Sequence, residues 1–361
     1  MKKKIIFFCP SIEIGGVEKN LYKVINFFAQ KNIDLYLVTS NKNLKAKFHK
    51  RIKILNYSIG DFNYPYFFKI ILCYLNYLFK FGLKKNNVFV VFQSNLYFIL
   101  LAKLTGNKVV ARSNAAPNYY ITNFVKKKIF QYIFNMADKI IVNSKEFQKI
   151  FTKTFKVKPL VIYNPSVSKK LLKKYSKMNI KKIKKTINFI NIGRLTFQKN
   201  QILLCKALKQ FNELDYKLVI VGNGKEQNDL INYINNNNLI KKIKIINNLT
   251  SANKYIMKSD VFILTSRFEG LPNVLIEAQL NKKFIISSDC PSGPKEILMN
   301  GNAGYLFKND NINDLKKKIK DFLINKNNKY ISNKIQNGFK NLNRFDENDN
   351  LQKYYDEIIS L

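Results

Sequence analysis

Short apolar runs alternate with longer stretches of helical spacing along most of the chain. Residues 5–9, 35–39, 88–92, 109–112 and 139–143 are dominated by Val, Ile, Leu and Phe, the pattern of strands buried on both faces. The same pattern returns at 187–192, 217–221, 243–246, 261–264 and 284–287. Between several of these runs apolar positions recur at helical spacing, over 18–30, 201–211 and 273–280. Strand–helix alternation predicts parallel sheets with helices on both faces. The set occurs twice, so the expected fold class is α/β, with two Rossmann-like, doubly wound halves.

The join between the halves is visible. Val161-Ile-Tyr-Asn-Pro-Ser closes the first half, and a polar, lysine-rich stretch follows at 169–185. The expected domains are 1–165, a linker or surface segment at 166–185, and 186–338. The last stretch, 339–361, reads as one helix anchored by Tyr354, Tyr355, Ile358 and Ile359. The segment 65–83 stands apart. It is too short, and too interrupted by Lys69, Asn76 and Lys80, for a membrane-spanning helix. It fits an interfacial helix whose lysines snorkel, and it equally fits a core helix of the first domain. Residues 1–10 resemble a short signal peptide, but the apolar part is brief and no small-residue cleavage site follows, so 5–9 is read as the first strand.

Composition adds less than its extremes suggest. Of 361 residues 46% are hydrophobic, ample for two cores, and the formal net charge is +40. Such a charge fits nucleic acid, an anionic membrane surface or anionic substrates. Lysine rises here together with Asn, Ile, Phe and Tyr, the mark of an AT-rich genome, so charge alone decides nothing. Cys9, Cys73, Cys205 and Cys290 have no zinc or CxxC spacing and read as small buried residues of a reducing compartment. The only histidine, His49, sits in a lysine-rich stretch without site context. There is no GxxxxGK[ST] loop, no Asp-x-Asp bridge for a metal diphosphate and no zinc-ligand cluster. No metal and no cofactor is expected.

Candidate chemistry lies at the strand ends, where open α/β sheets bind ligands. Residues 266–277 read Ser-Arg-Phe-Glu-Gly-Leu-Pro-Asn-Val-Leu-Ile-Glu. Glu269 falls on a strand-to-helix loop, Pro272 at the first helical position and Glu277 inside the helix. After the strand at 187–192 comes Gly193-Arg194-Leu195, then Lys199. Arg194 can fork onto phosphate oxygens and Lys199 adds a second cation, against the plainer reading of two solvated cations. Gly15-Gly16 precedes a helix and suits either a phosphate approach or a tight turn. Gly222-Asn223-Gly224 makes room for a bulky ligand or is a turn only. Ser292-Gly293-Pro294 offers backbone N–H groups at a helix start, a second anion cradle.

Together these residues resemble the GT-B glycosyltransferases of family 4. The resemblance covers nearly the whole chain and is strongest over 187–307, where Glu269-x7-Glu277 stands in the Phe-Glu-Gly-Leu-Pro-Asn-Val-Leu-Ile-Glu-Ala context. It implies a GT-B fold, two Rossmann-like domains facing a central cleft with the terminal helix crossing back to the first. Asn164-Pro165 resembles the family's hinge, about which the cleft would close. The implied activity is retaining, metal-independent hexosyl transfer from a nucleotide-diphosphate sugar. Arg194 and Lys199 would then neutralise the diphosphate, and Glu269 would face the donor sugar. Glu277 would hold the ribose, and Gly15, Gly16, Gly193, Asn223, Gly270, Leu271, Pro272 and Asn273 would complete the donor site. Many relatives carry a first-domain histidine where this chain reads Ala111-Arg-Ser-Asn-Ala-Ala-Pro117. Arg112, Ser113 or Asn114 is the expected acceptor-side replacement.

The resemblance further implies a lipid-linked or lipopolysaccharide or polysaccharide acceptor, and a cytoplasmic enzyme peripheral on the inner face of the cell membrane. Ser292-Gly293-Pro294 is similar to the branch using UDP-N-acetylhexosamines, so the donor is expected to be UDP-linked, carrying a hexose or N-acetylhexosamine. Lys126, Lys127, Lys128 and the 65–83 segment suit an anionic lipid surface. A basic nucleic-acid-binding protein is the rival from charge, but no binding motif appears and the strand-end glycines and glutamates would be unexplained. A GT-B enzyme of another reaction, such as an epimerase or phosphorylase, is the second rival; a phosphorylase would need a pyridoxal lysine site, which is not found.

Overall fold

The computed structural model describes residues 4–12, 15–41, 48–56, 65–83, 86–93, 95–114, 121, 123–247 and 252–361. The chain forms two compact units, Met1–Pro165 with Glu347–Leu361, and Ser166–Asp346.

The first unit runs β1 (Lys4–Phe8), α1 (Gly16–Ala29), β2 (Asp34–Thr39), β3 (Lys53–Asn56), α2 (Tyr66–Phe81), β4 (Val88–Val91), α3 (Asn95–Leu104), β5 (Lys108–Arg112), α4 (Phe124–Asn135), β6 (Lys139–Val142), α5 (Lys145–Phe155) and β7 (Leu160–Val161). Its strands form one sheet in the order β3-β2-β1-β4-β5-β6-β7, every pairing parallel. The expected first strand is therefore central, paired with β2 and β4. One apolar cluster fills the sheet face under α2, α3, α4 and α5, and a second fills the opposite face under α1. The α5 helix shows how sequence dictates this. Ser144 caps it by accepting from the Phe147 amide at 3.0 Å, and Phe147, Phe151 and Phe155 repeat at four-residue spacing to bury one stripe.

The second unit runs α6 (Lys169–Ser176), β8 (Ile187–Ile192), α7 (Gln201–Lys209), β9 (Tyr216–Val221), α8 (Gln227–Asn236), β10 (Ile243–Ile246), α9 (Ala252–Lys258), β11 (Val261–Leu264), α10 (Asn273–Leu280), β12 (Phe284–Ser288), α11 (Pro294–Ile297), β13 (Tyr305–Phe307), α12 (Ile312–Asn325) and α13 (Lys329–Lys340). The sheet order is β10-β9-β8-β11-β12-β13, again all parallel. The last helix, α14 (Glu347–Ile359), belongs to the first unit, where Leu351, Tyr354 and Ile358 join the core under α1 and Tyr355 meets Phe28 at 5.3 Å between ring centres.

Several sequence expectations change. The segment 166–185 is not a bare linker: Ser168 caps α6, and Tyr175 is buried in the second unit. The stretch 339–361 is not one helix. A 3-10 turn at Asn341–Phe345 breaks it, and Asp346, which pairs with Val167 as an isolated bridge, marks the unit boundary. Pro272 caps α10 rather than opening its first turn. β7 and β13, of two and three residues, are too short to show a period, and β3, a partly exposed edge strand reading Lys-Ile-Leu-Asn, lacks the all-apolar run of the buried strands.

The 65–83 segment satisfies both of its readings. Ile70, Cys73, Tyr77 and Phe81 of α2 are buried against the sheet, while Phe68, Ile71, Leu75 and Phe79 are exposed. Among the described residues no helix is long and apolar enough to cross a membrane. All four cysteines are buried free thiols, and burial pushes Cys205 up to about 12, so they act as small apolar residues. His49 has a structural place, its amide donating to Asn26 and its Nδ1 accepting from the Arg51 amide.

Asp138 ties the lower edge of the first sheet. It accepts from Lys103 at 2.7 Å and from the Val109 amide at 2.8 Å, and pairs with Lys108 at 3.2 Å. Burial pushes its carboxyl up, but Lys103, the Val109 N–H and Lys108 together hold it below the ordinary 3.8. A depressed folded-state value stabilises above the unfolded value and is lost as pH falls through the folded one. Asp138→Asn should therefore lower stability by about 1–2 kcal/mol at neutral pH. The deficit should shrink on acidification below 3.8, read from denaturant midpoints of mutant and parent across pH.

Candidate active site

In the second sheet the strand order reverses between β8 and β11. The loops leaving their carboxyl ends therefore lie side by side, the place where open α/β sheets hold ligands. The loop after β8 carries Arg194 and Lys199, and the loop after β11 carries Glu269 and leads into α10, which holds Glu277.

The two loops are stitched together. The Arg267 amide donates to the Gln198 carbonyl at 2.8 Å, and Gln198 Nε2 donates to the Phe268 carbonyl at 2.9 Å. Thr265 Oγ1 donates to the Lys199 carbonyl at 3.0 Å. The Arg267 guanidinium stacks 3.9 Å from the centre of Phe197, donates to the Phe197 carbonyl and reaches Asp310. Asn200, buried in the left-handed region at φ 49° and ψ 47°, donates to the same Asp310. Asn tolerates that conformation better than most residues, which fits its place ahead of α7.

This scaffold brings Lys199 Nζ to Glu269 Oε1 at 2.5 Å, with the side chains 16% and 7% exposed. The Lys199 stem lies over Gly193, where a Cβ would meet it at 3.3 Å. Arg194 differs. Its guanidinium is exposed and makes no hydrogen bond or ion pair with a described residue, while its carbonyl accepts from Gln201. The loop thus offers one available cation beside one engaged cation. Two buried hydroxyls here, Thr196 Oγ1 and Ser266 Oγ, have no partner among the described residues.

Neighbouring loops support this pair rather than add to it. Gly222 packs so closely on the loop after β8 that a Cβ would lie 1.9 Å from the Gly193 carbonyl. Asn223 accepts the Leu195 amide at 2.8 Å through its backbone carbonyl, and its side chain is exposed. The Gly-x-Gly turn is thus the mould for the Arg194 loop. Ser292-Gly293 corrects the expected anion cradle. Ser292 Oγ donates to the Glu269 carbonyl at 2.6 Å, and Gly293, at φ 85°, presses on the Gly270 carbonyl. The helix that follows, α11, has only four residues. The Ser292 loop braces Glu269. Leu271 and Pro272 are buried, and Asn273 opens α10 with its Oδ1 accepting from Ser166 at 3.3 Å. Glu277, half-buried, lies one turn into α10. A cavity of about 540 Å³ lined by Lys181, Lys184, Lys254, Lys258 and Asp260 contains none of these residues.

The first unit holds Gly15 as the N-cap of α1 and Gly16 as its first residue, on the loop after β1 at that sheet's own reversal point. The Glu18 carboxylate folds back to within 2.5 Å of where a Gly15 Cβ would be, and Gln93 Nε2 donates to it at 3.1 Å. A carboxylate thus already lies at this helix N-terminus, where anions are favoured. Arg112 turns inward, against the acceptor-side expectation. It is 1% exposed, donating to Tyr354 Oη at 2.7 Å, to Asn164 Oδ1 at 2.8 Å and to Asn114, with Phe92 stacked 5.1 Å away. It fastens β5 to α14 and to the end of the first unit. Ser113 is buried, and Asn114 is held by Arg112 and the Phe92 carbonyl. Residues 115–117 of the expected histidine equivalent lie outside the described residues.

Sequence reading missed Gln198, Thr265, Arg267 and Asp310, which join the loops, and it gave Ser292 the role of an anion donor rather than of a brace for Glu269. Arg267 stands inside the motif that carried the strongest signal, two positions before Glu269. The others make contacts between segments far apart in sequence and carry no local signature.

The sequence family described as glycosyl transferases group 1 matches residues 174–340, within the second unit. An uncharacterised glycosyltransferase of Methanocaldococcus jannaschii is 36% identical over 179 residues, 47% of this chain and 44% of that protein. The Campylobacter jejuni N-acetylgalactosamine-N,N'-diacetylbacillosaminyl-diphospho-undecaprenol 4-alpha-N-acetylgalactosaminyltransferase is 30% identical over 246 residues, 65% of this chain and 66% of that protein. The chain thus matches less than two thirds of the length of these two relatives, 44% and 66%. The crystal structure of Anabaena HepE in complex with UDP overlays with a TM-score of 0.76 at 17% identity, covering 99% of this chain and 100% of that one. The two doubly wound parallel sheets are those of the GT-B fold. Over residues 174–340, the greater part of the second unit, the chain matches the group 1 glycosyltransferases.

The Lys199–Glu269 contact generates a prediction. Removing one member leaves the other charge desolvated. Lys199→Met or Glu269→Gln alone should lower stability by about 2–3 kcal/mol, less than the roughly 3–5 of a fully buried pair because Lys199 keeps some water contact. The double variant should regain most of that loss in thermal unfolding while staying inactive. Additive losses in the double variant would contradict the pairing.

Proposed function

We propose that this protein transfers a sugar, a hexose or an N-acetylhexosamine, from a UDP-linked donor to a lipid-linked or polysaccharide acceptor with retention at the anomeric carbon. The observation that carries the reading is the Arg194–Lys199 loop beside Glu269 at the reversal point of the second sheet. The family match over residues 174–340 supports a glycosyl transfer, and the diphospho-undecaprenol compound in the name of the Campylobacter relative supports the acceptor class. The UDP in the Anabaena structure supports the choice of nucleotide.

In the proposed reaction the bond between the anomeric carbon and the diphosphate oxygen breaks. A bond from the acceptor hydroxyl forms on the same face, and its proton passes to the leaving phosphate, giving glycoside and nucleoside diphosphate. Negative charge grows on the diphosphate as the bond breaks. Arg194, whose guanidinium is exposed, takes phosphate oxygens in a fork. Lys199 has three N–H donors, so it keeps Glu269 and still donates to phosphate. Preorganised cations stabilise the leaving group at the moment charge develops, without a metal. Glu269, fixed by Lys199 and by Ser292 at its carbonyl, orients the sugar hydroxyls. Glu277 on α10 accepts from the ribose. The amides of Gly270, Leu271 and Asn273 and the Gly193 turn complete the donor site. An acceptor confined to a bilayer makes the enzyme a peripheral protein of the inner membrane face.

Two measurements test this. Among a panel of nucleotide sugars, one UDP-sugar should raise the melting temperature and be slowly hydrolysed; no response to any nucleotide would remove the reading. Arg194→Ala should lower kcat on the order of 10²–10³-fold with little change in stability, the scale for losing one transition-state donor. Near-normal turnover would sink Arg194's role.

A further inference from the structure

The first unit carries a surface that the transfer reaction does not use. On α2, Phe68, Ile71, Leu75 and Phe79 recur at i, i+3, i+7 and i+11 and point to solvent, with Phe79 97% exposed. This stripe lies opposite the buried stripe of Ile70, Cys73, Tyr77 and Phe81, so α2 is apolar on two sides and packed on only one. On α4, Val125, Ile129 and Tyr132 form a second exposed stripe at i, i+4 and i+7. Phe67 of α2 meets Tyr97 of α3 at 6.4 Å, α3 packs on α4, and all three cover the same face of the sheet. Tyr97 and Leu104 of α3 are exposed as well. Outward apolar side chains thus recur across three adjacent helices, far more than scattered surface residues require.

Charge identifies the occupant. Between Asp61 and Asp138 the sequence has ten Lys and Arg and no Asp or Glu; Lys103 and Lys108 pair with Asp138 and Arg112 is buried, which leaves seven lysines without those engagements. On α4, Lys126, Lys127 and Lys128 follow Phe124 and Val125, with Lys128 over the Phe124 ring at 5.4 Å and Lys126 over Phe130 at 5.8 Å. A second copy docking through this face would bring like charges together. Nucleic acid would take the lysines but not exposed Ile71, Leu75 and Ile129. A bilayer with anionic headgroups takes both, with rings and aliphatics at the acyl boundary and lysines at the phosphates.

We propose that the outer face of α2, α3 and α4 is an interfacial docking surface for a bilayer rich in anionic lipid. The transfer reading gives this surface a purpose, but the argument stands on exposure and charge, and the test uses no nucleotide sugar. Its failure therefore leaves the proposed chemistry intact.

The chain has no tryptophan, so Phe79→Trp makes a single reporter at the most exposed point of the stripe. Tyr330→Trp in the second unit, 54% exposed, is the control. With vesicles of phosphatidylcholine and phosphatidylglycerol, F79W emission should shift blue and Y330W emission should not. Pure phosphatidylcholine vesicles should give little shift, and high salt should reverse the effect. The variant K126A/K127A/K128A in the F79W background should partition roughly a hundredfold less, at about fivefold per lysine. An unchanged F79W spectrum, an equal response to uncharged vesicles, or a blue shift that depends on protein concentration without vesicles would each overturn the proposal, the last pointing to self-association.

Discussion

The candidate site depends on how closely the loops after β8 and β11 approach. A parallel sheet whose strand order reverses at this point sets the two loops next to each other, but neighbourhood alone would not bury an ion pair. The contact needs Gly222 against the Gly193 carbonyl and Gly293 against the Gly270 carbonyl, places where any side chain would collide. It also needs the hydrogen bonds from Arg267, Gln198 and Thr265 that hold one loop to the other. Given those, Lys199 and Glu269 meet almost out of water while Arg194 stays exposed. The site thus separates two cations by role. One is held in place by a carboxylate, and one remains available to an incoming anion.

Much of this was legible in the sequence. Runs such as 187–192 and 261–264 are apolar throughout because their strands are buried on both faces, and they fall on β8 and β11 with unchanged ends. Arg194, Lys199 and Glu269 were legible because strand-end loops are where such sheets act. The Lys199–Glu269 pairing was not, since nothing local says that residues 70 positions apart meet. Arg112 shows the limit from the other side. A cation at a strand end near the expected acceptor region invites a ligand role, yet its partners are Asn164 of the first unit and Tyr354, which only the return of α14 to that unit brings near. Short elements escaped for a different reason: a strand such as β13 has too few residues for periodicity to register.

The lysine excess also takes on a more specific meaning. As composition it fitted several partners and the drift of an AT-rich genome. Position separates these readings. Some lysines pair with carboxylates, as Lys103 does with Asp138 and Lys139 with Glu357. Those on α4 instead border exposed apolar residues in an acid-free stretch. The α2 helix repeats the lesson in apolar form. Its all-round hydrophobicity fitted a core helix and a surface helix alike, and the fold uses one stripe for each purpose.

The central claim is that the loop after β8 is a diphosphate site whose available charge is Arg194. Calorimetric titration of the parent protein and of Arg194→Ala with UDP and with uridine tests it directly. The account predicts that UDP binds the parent far more tightly than uridine does, and that most of this difference disappears in the variant while uridine binding is kept. An equal preference for UDP in both proteins would contradict it.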